Sequence, residues 1–163
     1  VFGACGSGGG GKTLVGVEAT GTPDQPPEIL WRMKRSLPYV PTLVADRERL
    51  FCWQDRGVVA CFDLRSQERR WESRVGGSYY GSPVIAGGKI YCISREGQVV
   101  VIAAGDAFQL LVKNDRCGGG HATPPIHAAR MDVRTETRLH CLEPVGGSPA
   151  QARSGQQRQE TDS

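Results

Sequence analysis

The feature that most constrains the fold of this chain is an internal repeat with a period of about 41 residues. Segments that begin at Pro41, Pro83 and Pro124 align as three copies of the repeat. Each copy contains short runs of apolar and β-branched residues separated by Gly, Pro and Asp. This pattern predicts several short strands joined by turns, and nothing in it favours a helix.

Matching landmarks recur within the copies. The second and third predicted strands begin at equivalent positions, near Leu50, Ile90 and Met131 and near Val58, Gln98 and Arg138. The turn between these two strands contains Gly57 in the first copy and Gly97 in the second, whereas the third copy has no turn glycine. The first copy has a two-residue insertion before its second predicted strand, and we assign it to the loop from Asp46 to Arg49.

A repeat of about 40 residues with about four strands is typical of propeller blades, because each small sheet buries its faces against its neighbours. We therefore predict an all-β fold, a partial β-propeller of about three to four four-stranded antiparallel blades. The blades are placed at about residues 12–40, 41–82, 83–123 and 124–142. Closed rings have more blades, so the chain is interpreted as part of a larger propeller with apolar open faces.

The C-terminal segment differs in composition from the repeats. Residues 143–163 are rich in Gly, Ser, Gln and Arg and contain few apolar side chains. Such a segment cannot bury enough apolar surface to offset the entropy of ordering it. We predict a disordered tail there.

The most informative motif lies in the stretch 58–71. An apolar strand runs into a polar turn that begins at Asp63, and Trp71 stands in the strand that returns. The spacing of Asp63 and Trp71 resembles the repeat of the pyrroloquinoline-quinone-like (PQQ-like) family, in which tryptophans pack the blades of a β-propeller together. That family usually has Thr and Gly where this chain has Ser66 and Gln67, which predicts a less regular turn.

The resemblance implies a propeller that serves both quinone-dependent dehydrogenases and non-catalytic scaffolds. Those dehydrogenases have adjacent cysteines beside the quinone, a calcium site and a catalytic Asp, but this chain has no adjacent cysteine pair. Asp55 and Asp63 lie at predicted turns, where Asp stabilises the turn through its own side chain. We predict no catalytic, cofactor-binding or metal-binding residue.

The leading functional hypothesis is a non-catalytic protein-interaction or scaffold module with a protein partner. The alternative is a fragment of a PQQ-dependent dehydrogenase-like quinoprotein, whose active site lies in blades outside this chain. The resemblance also implies a periplasmic or exported parent, with any signal peptide upstream of these residues. The compartment itself is left unassigned.

Charge and hydropathy narrow the classes of partner. The formal net charge is +3, and the arginines are scattered along the sequence, which argues against nucleic acid as a partner. No run of 18 or more apolar residues is present, so no membrane span is predicted.

The chain has six cysteines, which match no zinc-finger or zinc-ribbon spacing: Cys5, Cys52, Cys61, Cys92, Cys117 and Cys141. Most stand at apolar strand positions, where Cys commonly acts as a small buried hydrophobe. Cys52 and Cys61 face each other if their hairpin has a two-residue turn, and point to opposite faces if Gly57 forms a bulge. The sequence leaves a Cys52–Cys61 disulfide open as the less favoured alternative.

A glycine-rich N-terminal segment formally matches a phosphate-binding loop, with Gly6, Gly11, Lys12 and Thr13 at the required positions. Such a loop needs a strand before it and a helix after it. The residues after Thr13 are instead β-like, and four consecutive glycines make an accidental match easy. Nucleotide binding is therefore judged unlikely, and residues 12–17 are predicted to form a blade strand.

The connections between blades are the best candidates for contacting a partner. They comprise Gly76–Pro83 and Arg116–Thr123. Tyr79 and Tyr80 in the first connection are expected to pack between blades rather than on a ligand.

The chain has three histidines, which are the remaining candidates for metal ligands. His121 and His127 have no evident third ligand for a metal, and His140 is expected to lie in a strand.

Overall fold

A computed structural model describes residues 1–5, 11–18, 26–114, 118–128 and 130–143. Over these ranges the secondary structure consists of strands and turns without a helix, as the sequence predicts. The predicted tail lies outside the described residues except for Glu143. The strands, in chain order, are β1 (Phe2–Cys5), β2 (Thr13–Val17), β3 (Ile29–Met33), β4 (Val44–Asp46), β5 (Arg49–Trp53), β6 (Val58–Asp63), β7 (Arg69–Arg74), β8 (Val84–Ala86), β9 (Lys89–Ile93), β10 (Val99–Ala103), β11 (Leu110–Lys113), β12 (Ile126–His127), β13 (Arg130–Arg134) and β14 (Leu139–Leu142).

The strands form four sheets in which sequence neighbours pair antiparallel. The first sheet contains β1 to β3, the second β4 to β7, the third β8 to β11 and the fourth β12 to β14. Sheets of this kind, packed face to face in chain order, are propeller blades, so the prediction of a partial β-propeller is confirmed. β1 pairs with β2 and precedes residue 12, where the sequence analysis begins the first blade.

Apolar residues on both faces of each central sheet explain why the sheets stack. In β5, Phe51 and Trp53 face the third sheet, whereas Leu50 and Cys52 face the first sheet. Three buried clusters result, one at each junction between successive sheets. Because strands buried on both faces read as continuous apolar runs, β5, β6 and β10 are recognisable in the sequence.

Glycine turns join the second and third strands of the complete blades. Gly57 has a φ of 67° and donates its N–H to the carbonyl oxygen of Gln54, 3.0 Å away. Gly97 has a φ of 81° and bonds to Ser94 in the same way. A Cβ at Gly57 would lie 2.2 Å from the carbonyl oxygen of Gly76, so the close approach of the chain requires glycine as much as the left-handed conformation does.

The glycine turn also decides the register of the cysteines. Cys61 pairs with Phe51, and Cys52 pairs with Ala60, so the register is shifted by one residue from the arrangement that brings the two thiols together. Cys52 consequently packs toward the first sheet and Cys61 toward the third. Both thiols are free, which settles the open alternative against a Cys52–Cys61 disulfide.

The two-residue insertion of the first copy lies before β4 and not where the sequence analysis placed it. The turns β4–β5 and β8–β9 have equal lengths, Arg47-Glu48 in one and Gly87-Gly88 in the other. The strand β4 starts three residues after Pro41, whereas β8 starts immediately after Pro83. Extra residues before a short inner strand change the path of the connection without disturbing the pairing.

The turn of the 58–71 motif keeps its hydrogen bonds. The Asp63 carboxylate accepts from the backbone N–H groups of Arg65 at 2.8 Å and Ser66 at 2.9 Å, as expected for an Asp at a turn. The Gln67 N–H donates to the Asp63 carbonyl oxygen at 2.9 Å. Gln67 has a φ of 61°, so it adopts the left-handed conformation usual for the glycine that it replaces. The pairing of β6 with β7 shifts register beside the turn, between Cys61 and Phe62, and the lower regularity of this turn relative to the family stays a prediction.

The outermost sheets present unlike faces to their open sides. The first sheet exposes Ile29 and Leu30, next to half-buried Val15. The fourth sheet instead places Arg130 and Asp132 on its open side, opposite the face on which Met131 and Val133 are buried. Each face also carries the other kind of side chain, because exposed Arg32 pairs with Val15 in the first sheet and exposed Leu139 pairs with Arg134 in the fourth. The expectation that open blade faces are apolar therefore describes neither face completely.

Candidate interaction surface at the connection end

The four sheets share one end at which the connections between blades lie, here called the connection end. Antiparallel pairing brings the β5–β6, β9–β10 and β13–β14 turns to this end, together with the segments that link successive sheets. Backbone hydrogen bonds fix the links to the turns. Tyr79 N donates to Asp55 O at 2.9 Å, and Gly120 N donates to Arg95 O at 3.1 Å. The opposite end, formed by the β4–β5, β6–β7, β8–β9 and β10–β11 turns, is here called the hairpin end.

Two adjacent tyrosines in the first connection have different roles. Tyr79 is fully buried and packs edge-on against Trp53, with 5.3 Å between ring centroids, so the expected packing between blades is confirmed for it. Tyr80 is 42% exposed, so the same expectation is wrong for Tyr80. The Arg95 guanidinium lies over the Tyr80 ring at 4.5 Å from its centroid, and His121 contacts the ring edge-on at 5.4 Å. Tyr80 is thus held in place on the surface.

A second aromatic group stands at the preceding junction. Tyr39 is 56% exposed and Val40 is 43% exposed. The Asp55 carboxylate accepts hydrogen bonds from the backbone N–H of Tyr39 at 2.7 Å and of Val40 at 2.9 Å. Asp55 therefore fixes the connection that leads into the second sheet, whereas the sequence analysis expected it to stabilise its own turn.

The residues that match the phosphate-loop motif do not have the surroundings of a nucleotide-binding loop. Thr13 is the first residue of β2, so a strand follows the motif where a phosphate loop needs a helix. The Lys12 ammonium donates to the Leu37 carbonyl oxygen at 3.1 Å and lies 3.7 Å from Asp55. Gly11 is exposed, and Gly6 lies outside the described residues. Nucleotide binding was judged unlikely, and that judgement stays a prediction.

Basic side chains collect at the connection end. Eight of them are exposed, and none lies within 4.0 Å of a carboxylate of the described residues: Lys34, Arg35, Arg56, Arg74, Arg95, Lys113, Arg134 and Arg138. The acidic residues described at this end are Asp55, Glu96 and Glu136. The arginines that look scattered in the sequence are therefore gathered by the antiparallel folding of the strands.

The hairpin end carries a balanced set of ion pairs. Arg70 bonds to Asp63 at 2.5 Å and also to Asp106 of the third sheet. Arg49 bonds to Asp46 at 2.9 Å and approaches Asp106 at 3.7 Å. The Arg70 hydrogen bond, followed by the N–H groups of the turn, holds the pKa of Asp63 well below its usual range. Most of the positive charge at this end is thus paired within the protein, although Arg47 and Lys89 are exposed and have no carboxylate within 4.0 Å among the described residues.

The described residues do not fit the quinone and calcium site of the dehydrogenases. The free cysteines in these ranges are Cys52, Cys61, Cys92 and Cys141, none adjacent in sequence. No group of three or more His, Cys, Asp or Glu side chains is arranged to hold a metal in the described part of the chain. His127 is exposed on β12, and His140 lies on β14 as expected, with its Nε2 buried.

Sequence reasoning selected the connections but missed the surface that they form. It expected Tyr80 to pack between blades and did not single out Tyr39 or Arg95. The available signal was positional, because Arg56, Arg74 and Arg95 all stand in or beside turns at the connection end.

Among the described residues, no helix is long and apolar enough to cross a membrane.

Comparison with known proteins supports the repeat assignment. A family model described as outer membrane protein assembly factor BamB matches residues 24–119, more than half of the chain. No curated protein matches the chain.

Two solved structures illustrate the likeness of fold. BamB from Moraxella catarrhalis is 17% identical and superposes with a TM-score of 0.58 over 71% of this chain, which spans 38% of that protein. A europium-containing methanol dehydrogenase is 14% identical, with a TM-score of 0.49. The match covers 63% of this chain and 21% of the dehydrogenase chain. Together with the blades and the Asp63 to Trp71 motif, the family match shows that the chain belongs to the PQQ-like β-propeller repeat family.

Proposed function

We propose that this chain is a non-catalytic β-propeller module that binds another protein through the connection end. The observation that carries the proposal is the exposure of Tyr39, Val40 and Tyr80 at this one end. Tyrosine and arginine are enriched among the residues that dominate binding energy at protein interfaces.

The aromatic groups are arranged before a partner arrives. Tyr80 is restrained by Arg95 and His121, and the backbone of Tyr39 is restrained by the Asp55 carboxylate. A side chain that is already ordered loses less conformational entropy on binding, so more of its contact energy contributes to affinity. This rigidity favours a specific protein contact at the connection end.

Family membership supports the same class of partner. The matching family is described as an outer membrane protein assembly factor, and an assembly factor acts on other proteins. The chain spans 38% of the length of the BamB structure, so the organisation of the whole propeller is also a proposal. In it, residues 1–142 supply successive blades of a larger ring and residues 143–163 form a tail.

Site-specific photo-crosslinking in the organism of origin tests the proposal. A benzophenone amino acid replaces Tyr39 or Tyr80 at the connection end, and Arg65 at the hairpin end serves as the matched exposed control. We expect one protein to be crosslinked from positions 39 and 80 and not from position 65. We also expect less of that protein to be recovered with the Tyr39→Ala/Tyr80→Ala variant than with the native chain, both without the crosslinking amino acid.

Two results would count against the proposal. Equal crosslinking from all three positions would show that the connection end is not a specific surface. Saturable binding of pyrroloquinoline quinone with Ca²⁺ to the protein would instead support the dehydrogenase-like alternative.

A further inference from the structure

Building on the proposed function, we infer that the protein bound at the connection end presents an acidic surface to it. The inference concerns the chemistry of the partner at the same site. It depends on a difference in charge between the two ends of the sheets, because the connection end carries an excess of basic side chains and the hairpin end does not. The small net charge of the whole chain does not show this difference.

Two of the three acidic side chains described at the connection end hold the connections in place. Asp55 accepts two backbone N–H groups and lies 3.7 Å from Lys12. Glu96 accepts the backbone N–H of Ser78 at 3.4 Å, and a hydrogen bond from Ser94 lowers the pKa of Glu96. These two carboxylates fasten the connections to the turns, and Glu136 is exposed at the same end. The three acidic side chains described there are outnumbered by the eight exposed basic ones.

The basic groups at the same end lack such partners. Arg56, Arg95 and Arg134 are exposed and have no carboxylate within 4.0 Å among the described residues. At the hairpin end, by contrast, Arg49 and Arg70 are each bonded to two aspartates. A patch of one sign attracts a partner of the other sign and speeds their encounter.

The aromatic groups favour an acidic protein over nucleic acid or an anionic membrane. Arg95 lies over the Tyr80 ring and His121 contacts it, so that ring is not free to stack on a base. Tyr39 and Val40 supply adjacent apolar contact area, which suits a peptide carrying both carboxylates and apolar side chains.

The test measures binding of a fluorescein-labelled peptide of alternating Glu and Leu by anisotropy. We expect saturable binding to the full chain that weakens as salt rises from about 0.05 M to about 0.3 M. The variant Arg56→Gln/Arg95→Gln/Arg134→Gln should weaken binding about tenfold, since each exposed pair contributes modestly. The control Arg47→Gln/Lys89→Gln removes two exposed charges from the hairpin end and should leave binding unchanged.

Three results would overturn the inference: no binding of the peptide, equal weakening by both variants, or tighter binding of duplex DNA or phosphatidylglycerol vesicles at matched charge concentration. The proposed function can fail or survive separately. Specific crosslinks from positions 39 and 80 without peptide binding would keep a protein partner and remove its acidic character. Absence of those crosslinks would remove the proposed function itself.

Discussion

The indole Nε1 of Trp71 donates a hydrogen bond to the carbonyl oxygen of Gly105 in the next sheet, 3.1 Å away. The ring also packs on Phe51 of its own sheet, with 6.0 Å between centroids, and edge-on against Phe108 of the third sheet at 5.5 Å. One side chain thus joins two blades through a directional bond and one aromatic contact, while Phe51 holds the ring against its own blade. This is the role that the PQQ-like repeat assigns to its tryptophan.

Replacing Trp71 separates the bond from the packing. Trp71→Phe leaves the Gly105 carbonyl without its donor, and we expect the free energy of unfolding to fall by about 1 kcal/mol. Trp71→Ala also removes the ring, and the expected loss is about 3 kcal/mol because the site is partly buried. Urea denaturation followed by circular dichroism measures both, with exposed Leu139→Ala as the control. Equal losses for Phe and Ala would contradict a contribution from ring packing.

Gln67→Gly is expected to stabilise the protein by about 0.5 to 1 kcal/mol. A non-glycine residue in the left-handed conformation is strained, and glycine relieves that strain at some cost in the entropy of the unfolded chain. Thermal denaturation of this variant is compared with that of Ser66→Gly, whose position has no positive φ. The prediction fails if both glycines destabilise the protein equally.

Acid should weaken the protein through Asp63. Its pKa is lowered in the folded state by the Arg70 hydrogen bond, so the contribution of Asp63 is fully present above the unfolded-state pKa of about 4. It is lost as the pH falls below about 4 toward the lower folded pKa, because protonation then favours the unfolded state. Urea denaturation between about pH 2 and pH 6 should show that the free energy of unfolding falls less steeply with acid in Asp63→Asn than in the native protein. An unchanged pH profile in this variant would argue against the Asp63–Arg70 pair as a source of acid sensitivity.

The buried thiols should react slowly in the folded protein. Burial raises the pKa of Cys52 to about 12 and that of Cys61 to about 11, so the reactive thiolate is scarce at neutral pH. In a Cys5→Ser/Cys117→Ser background, we expect Ellman's reagent to modify exposed Cys141 rapidly and the buried cysteines only on unfolding. Detection of a Cys52–Cys61 disulfide by mass spectrometry would contradict the register.

The sequence predicted the strands well because their signal is local. Runs such as Val58 to Phe62 are apolar on both faces, and proline and glycine mark their limits. The Cys52 register could not be predicted in the same way, since a shift of one residue depends on whether Gly57 forms a three-residue turn. In the structure Gly57 also lies close to Gly76, a residue of the next connection that a local reading of the hairpin does not include.

The candidate surface was harder to predict for a related reason. Arg56, Arg95 and Arg134 are separated by about 40 residues in sequence, so no window shows them as a cluster. Only the return of the chain to the same end in each blade brings them together. Tyr80 illustrates a second limit, because alternate exposure within the dipeptide Tyr79-Tyr80 depends on the path of an irregular connection.

The unlike faces of the first and fourth sheets bear on how copies of the chain can meet. End-to-end stacking of two copies would bring Leu30 and Ile29 of one against Arg130 and Asp132 of another. Against these two apolar side chains the Arg130–Asp132 ion pair would lose water without gaining a new polar partner, which costs more than the apolar contact returns. Head-to-tail growth into filaments through these two faces is therefore disfavoured.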